Sequence, residues 1–303
     1  MVARTRSLAG VGCAVAVLLM ALPAAAQIED QIAAYTGANA EGYLNPLALA
    51  IGANLNSGLF HSAHVPEGGL HVHLETPVMG VIFSDDDATF TAVTEGWFEP
   101  EMTAEAPTVV GSGDAVVVEN IGEGTTFSFP GGFDLNSFAL TVPQVRIGSF
   151  RGTEAVIRYF GLDVGDVEVG DISLFGFGMR HSISQYLGPV PPVDLAAGFM
   201  YQSFKLGDEL LDANAFSIGV QASRKLPLGF VALEPYAGLS FDTFSMDVKY
   251  DDTEGAPIEL SFDSESTAHL TMGLHVSAAL VSLYGEYSIA NQNGFALGMA
   301  FGF

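Results

Sequence analysis

Of the seven histidines in this sequence, four lie between positions 61 and 73: His61, His64, His71 and His73. His71, His73 and Glu75 alternate along an extended stretch and so share one face. Imidazole and carboxylate are metal donors, but a closed site needs three or four of them converging on one point. Successive same-face residues of a single strand diverge, so these three fit a polar wall better than a metal centre. His181-Ser182-Ile183-Ser184 sets a base beside two hydroxyls, the raw material of acyl transfer. Adjacent strand residues point to opposite faces, so His181 and Ser182 cannot pair directly. Neither Gly-x-Ser-x-Gly nor His-Glu-x-x-His occurs. Gly176-x-Gly178 lies in a strand pattern with no helix after it, unlike a nucleotide loop. Three acidic clusters could attract divalent cations: Asp163, Asp166 and Glu168; Asp208, Glu209 and Asp212; Asp251, Asp252 and Glu254. None has the spacing of a calcium-binding loop. The expectation is therefore a protein without catalytic residues, cofactor or metal.

The elements that would carry these residues begin with an export signal. Arg4 and Arg6 precede an apolar run from Ala14 to Leu22, followed by Pro23-Ala24-Ala25-Ala26. That is a charged n-region, an h-region too short to span a bilayer and a small-residue cleavage site. Residues 1–26 read as a signal peptide cleaved after Ala26. Cys13, the sole cysteine, leaves with it, so the mature chain has no disulfide. The chain carries 35 Asp and Glu against 10 Lys and Arg, a net charge of −25, which excludes nucleic acid as a partner. Yet it is 49% hydrophobic with positive mean hydropathy. A transmembrane β-barrel reconciles the two: apolar outside, polar or small inside, charged in the loops.

Period-two alternation supports this. Ala268, Leu270, Met272, Leu274, Val276, Ala278 and Leu280 alternate with His269, Thr271, Gly273, His275, Ser277 and Ala279. Val281, Leu283, Gly285, Tyr287 and Ile289 oppose Ser282, Tyr284, Glu286 and Ser288. The last strand sets Phe295, Leu297, Met299, Phe301 and Phe303 against Gly294, Ala296, Gly298, Ala300 and Gly302. Similar patterns run through 154–159, 175–180, 193–202, 216–222, 231–241 and 70–82. With a first strand near Ile51, the count is twelve, and ten or fourteen also fit because Asp85 to Pro143 is hard to parse. The fold class is all-β, an antiparallel barrel over 51–303. Residues 27–50 form a partly helical segment that could plug it, and 98–139 a long connection.

Lumen-facing candidates are His71, His73, Glu75, Arg158, Arg180, Glu234, His275 and Glu286. Phe301 and Phe303 read as an assembly signal, which implies the outer-membrane barrel-assembly machinery and lipid as partners. Placing the C-terminus on the periplasmic side puts the connections near 280–281, 227–229, 188–192, 149–152 and 85–87 there. Those at 61–68, 98–139, 162–170, 207–212, 250–258 and 290–293 then face outward. A turn centred between Leu280 and Val281 would set His275 opposite Glu286.

Gly152-Thr153-Glu154, Arg158-Tyr159, Ser173-Leu174-Phe175-Gly176, His181-Ser182-Ile183-Ser184-Gln185 and Pro192-Val193-Asp194-Leu195-Ala196 resemble an uncharacterised family of outer-membrane barrels with a domain of unknown function. Leu44-Asn45-Pro46 and Gly58-Leu59 are similar to its start. The resemblance implies a barrel and names no ligand. Asn45-Pro46 and an N-terminal plug give a weaker similarity to long-chain fatty-acid transporters. Two functions follow as expectations: passage or holding of a small, hydrophobic solute, or a structural or surface-interaction barrel with acidic loops and a closed lumen.

Overall fold

The computed structural model describes residues 31–96, 98–120, 122, 124–162, 171–187, 193–207, 210–251 and 255–302. The expected signal peptide, Phe303 and the acidic residues Asp163, Asp166, Glu168, Asp208, Glu209, Asp252 and Glu254 lie outside the described residues.

Helix α1 (Gly37–Leu55) precedes β1 (Gly68–Ile82). Two hairpins follow, β2 (Thr89–Val93) with β3 (Thr103–Pro107), and β4 (Val116–Asn120) with β5 (Thr125–Phe129). Then come β6 (Ser137–Thr141), β7 (Gln144–Phe150), β8 (Thr153–Leu162), β9 (Ile172–Ser182), β10 (Asp194–Leu206) and β11 (Leu211–Ser223). The chain ends with β12 (Leu226–Leu228), β13 (Val231–Asp251), β14 (Pro257–Ala278), β15 (Val281–Ile289) and β16 (Gly294–Gly302).

Ten strands close the ring among the described residues: β1, β7, β8, β9, β10, β11, β13, β14, β15, β16 and back to β1, all antiparallel. The expected twelve is corrected to ten. β6 only continues the edge that β7 makes with β1, Val78–Ile82 pairing with β6 and Gly68–Glu75 with β7. The break between them contains Pro143, which cannot donate to a ladder. β12 is a three-residue extension of the hairpin into β13. The expected first strand near Ile51 is also corrected: Ile51 lies in α1 and the wall begins at Gly68.

Losing that strand reverses the direction of β1. Asp85–Asp87 therefore sits at the same end as residues 290–293, and residues 65–67 sit at the opposite end, both contrary to expectation. The 279–280 and 151–152 turns stay on the side expected of them. The long 83–136 connection joins the 290–293 end, so the long connections gather at this end, the outer end of the barrel, and the short turns at the other.

Alternation sorts the side chains as the pleat requires. On β16, Ala296 and Ala300 are buried inside while Leu297, Met299 and Phe301 are exposed outside. Outward Tyr159, Phe175, Tyr201, Phe216, Phe241 and Tyr287 ring the barrel toward its outer end. Exposed Phe150, Tyr186, Phe230 and Phe301 lie toward the other, so two aromatic girdles flank an aliphatic band. β15 and β16 have nine residues each, about the length that crosses a bilayer tilted. β13 and β14 have 21 and 22 and rise well above them.

Candidate functional site

The lumen is filled by the chain's own N-terminal segment. α1 starts at the outer end, where the Tyr250 hydroxyl donates to the Tyr35 carbonyl at 3.0 Å. The Glu95 carboxylate sits at the helix N-terminus, accepting from the Thr36 hydroxyl at 2.6 Å and from the Thr36 N–H at 3.1 Å. Negative charge there complements the helix dipole. Asn39 extends the contact, donating to the Val93 carbonyl at 2.7 Å and accepting from its N–H at 3.0 Å. Around the helix, Tyr43, Leu44, Ile51 and Leu55 pack against Leu174, Phe204, Phe244, Met246 and Leu260 from the wall and Phe129 from a hairpin. The outer half of the bore is thus packed largely with apolar side chains.

Beyond α1 the chain runs without regular structure from Asn56 to Glu67 and descends to the start of β1. Backbone of this kind is tolerated at membrane depth only where protein satisfies its polar groups. Here the wall does so. Arg158 donates to the Ser57 carbonyl at 3.1 Å and also to that of Gly58. Gln202 donates to Leu55 O, Gln221 to Phe60 O at 2.8 Å and Arg180 to Ser62 O. Glu286 accepts the Gly58 N–H at 2.6 Å, and Ser223 Oγ accepts that of Ala63 at 2.9 Å.

The same wall groups are tied to one another. Arg146 Nη2 lies 2.7 Å from Glu75 Oε1, and Gln144 donates to Glu75 Oε2 at 2.6 Å. His61 Nε2 approaches Glu75 Oε1 at 3.2 Å, while its ring stacks on Tyr284 with centroids 4.2 Å apart. Arg158 Nε donates to Gln144 Oε1 at 2.6 Å. Arg180 Nε donates to Glu154 Oε2 at 2.6 Å, and His71 Nε2 meets the other oxygen at 2.6 Å. Glu234 accepts from Ser62 at 2.5 Å and Ser223 at 2.6 Å, with His275 Nδ1 at 3.4 Å. Buried charges cost several kcal/mol each unless paired and bonded in this way, so the network is demanding of its geometry.

All eight lumen candidates point inward, but they form a network with partners the sequence reading left out. Glu75, Arg158, Arg180, Glu234 and Glu286 are buried; His71, His73 and His275 are partly so. His73 lies beside Gly302 at the rim, its ring 5.5 Å from that of His71. The expected His275–Glu286 pairing is corrected. The two-residue turn Ala279–Leu280 is closed by Ala278 and Val281, which places His275 opposite Tyr284 and Gly273 opposite Glu286. Ala279 takes φ +53°, as such a turn demands. The carboxylate partner of His275 is Glu234, across the other neighbour, β13. Missed in sequence were Arg146 and Gln144, although the Gln144-x-Arg146-x-Gly148 spacing carries the period of a wall strand. Phe301 faces outward in the aromatic girdle at the end opposite the outer one. Among the described residues, no three His, Cys, Asp or Glu side chains converge to hold a metal ion.

A closed barrel with its own N-terminal segment through the bore defines the class: a plugged β-barrel with an apolar exterior. The chain belongs to a family of unknown function (DUF6588), which matches residues 6–303. Among curated proteins, none matches the sequence. Similar solved structures are outer-membrane proteins. The outer-membrane protease OmpT of Escherichia coli has 6% identity and a TM-score of 0.38 over 79% of this chain and 98% of that one. The β domain of the Bordetella autotransporter BrkA has 15% identity and a TM-score of 0.33 over 78% and 100%. The anion-selective porin of Comamonas acidovorans has 12% identity and a TM-score of 0.20 over 78% and 99%.

Proposed function

We propose that this protein is an outer-membrane barrel with a closed lumen, which acts at its outer end and not as a passive pore. The observation that carries this reading is the row of wall side chains, Arg158, Gln202, Gln221 and Arg180, bonded to the carbonyls of Leu55, Ser57, Gly58, Phe60 and Ser62. A cavity left between this segment and the wall, near Phe60 and Gly219, measures about 40 Å³. That is room for a few waters and not for a solute in transit. The aliphatic band and its aromatic girdles suit outer-membrane lipid as the surrounding medium. The tall β13–β14 hairpin and the β2–β5 hairpins then face the exterior, where surface interaction, or divalent cations bridging acidic groups to anionic lipid, would act. Purified protein in planar bilayers tests the proposal. The intact chain is expected to be silent, and stepwise porin-like conductance from it would overturn the reading. A chain lacking residues 31–66 should conduct if it inserts.

A further inference from the structure

At the outer end, three polar residues on adjacent strands face one cavity: Asp242 on β13, His269 on β14 and Ser288 on β15. Asp242 Oδ2 lies 2.5 Å from His269 Nδ1, and both residues are buried. The other ring nitrogen, His269 Nε2, is buried without a hydrogen-bond partner in the structure, as is Ser288 Oγ, in a residue only 2% exposed. Native proteins rarely leave such atoms unpaired, and where they do a catalytic or ligand role is one of the accepted reasons. Register makes the two neighbours. Ser288 stands directly opposite Thr271, so His269 is its diagonal neighbour on the same face, at a separation that falls to the imidazole ring to span. The cavity measures about 50 Å³ and adjoins a cleft of about 390 Å³, with Leu49, Phe244 and Ser264 lining both. Access follows from strand length: β14 pairs with β15 only up to Leu270–Ile289, so the cleft opens beside the unpaired part of β14 above it.

We infer that Ser288, His269 and Asp242 form an acyl-transfer site that cleaves uncharged carboxylic esters entering from the outer end. Ser288 is the nucleophile, His269 the general base, and Asp242 a positioning residue that holds the imidazole with Nε2 free to accept a proton. Ser288 Oγ bonds to the ester carbonyl carbon as its proton passes to His269 Nε2. The adduct collapses, the bond from carbon to the alcohol oxygen breaks, and the alcohol leaves with that proton. Water then repeats the sequence on the acyl-serine and releases the carboxylic acid. Gln292, half-buried on the cavity wall, carries an amide donor suited to the oxyanion, whereas the exposed Asn291 amide donates to Thr267 Oγ1 at 3.0 Å. The serine–histidine hydrogen bond is not formed in this structure; such bonds are often long until substrate binds. Glu41 and Asp263 on the cleft wall would repel phosphate-bearing or other anionic esters, and the small apolar floor of Leu49, Gly52 and Ala53 suits a slender acyl chain.

This gives the proposed outer end a chemistry, yet its test needs no membrane and is independent of conductance. Folded full-length protein in detergent is treated with an uncharged fluorophosphonate, and the adduct is located by mass spectrometry. The expected result is one adduct, on Ser288, slowed by competing p-nitrophenyl butyrate. Ser288→Ala should abolish it, and His269→Gln should slow it by about 10²–10⁴-fold. Asp242→Asn should lower kcat per folded molecule for the ester with KM unchanged, a loss beyond any fall in the folded fraction. No adduct on wild-type protein that migrates as a folded barrel, or an adduct at another serine, would overturn the inference. So would Asp242→Asn activity that falls only in step with the folded fraction.

Discussion

The guanidinium of Arg158, fully buried in the wall, donates to the carbonyl of Ser57 at 3.1 Å, 101 residues earlier in the chain. Its other bonds go to Gln144, Gln202 and Gly58, so a cation is held by neutral acceptors. Arg158→Met should strip the carbonyls of Ser57 and Gly58 of this donor. Each buried acceptor left unmade costs about 1–3 kcal/mol. A lower unfolding midpoint in denaturant, together with faster proteolysis between Asn56 and Glu67, is expected. An unchanged midpoint would show that the segment is held by other contacts.

The hairpin register makes a cysteine prediction. With His275 opposite Tyr284 and Glu234 on its other side, the pairs 275/284 and 275/234 should crosslink in the assembled barrel. The pair 275/286 should not. Efficient 275/286 crosslinking would mean that the turn is centred one residue further along the chain and the register is slid by two.

Two glycines should separate the faces of the wall. A Cβ on Gly298 would fall 2.1 Å from Tyr284 Cζ, and that ring is already stacked on His61. Gly298→Val should destabilise by roughly 1–3 kcal/mol, the usual cost of overpacking. Gly285 faces outward, where the nearest atom to an added Cβ is the end of Leu297 at 3.0 Å. Gly285→Ala should therefore be nearly silent. Thermal loss of the compact gel form reads both, and equal effects would contradict the assigned faces.

Sidedness follows from the direction of β1. An epitope inserted after Gly113, beyond the outer end, should bind antibody on intact cells. One inserted after Gly229, an exposed turn at the opposite end with φ +70°, should bind only after permeabilisation. The reverse pattern would invert the barrel.

What was legible in the sequence depended on exposure to two different solvents. From Thr153 to Gly302 each wall strand has an exposed apolar face on one side and packed lumen on the other, so Phe175, Phe177 and Met179 separate cleanly from Gly176, Gly178 and Arg180. α1 has no such contrast. It is enclosed on most sides, and Ala40, Tyr43, Leu44, Ala48, Ile51 and Leu55 leave no broad polar face to betray a helix. Ile51 therefore read as the start of a strand, and the strand count rose with it. The inner glycines acquire a reason only in three dimensions: Tyr236 lies across Gly273 and Tyr284 across Gly298, each pair directly opposed in register. The plug partners were illegible because Asn56–Glu67 has no period, and ring closure alone selects which wall groups meet it.

The path of the N-terminal segment also constrains the order of events during biogenesis. Gly58 meets Glu286 across 228 residues, and β1 meets β16 across a similar separation. Contacts this distant in sequence form late and slowly, because loop-closure entropy must be overcome before they are made. Tyr35 and the start of β1 lie at opposite ends of the bore, so the segment between them has to be laid inside the curling sheet before the β1–β16 seam zips shut. A barrel that sealed first would have to thread its own helix through a finished ring. The seam is therefore a one-way latch, and synthesis of the last strand is the step that releases it.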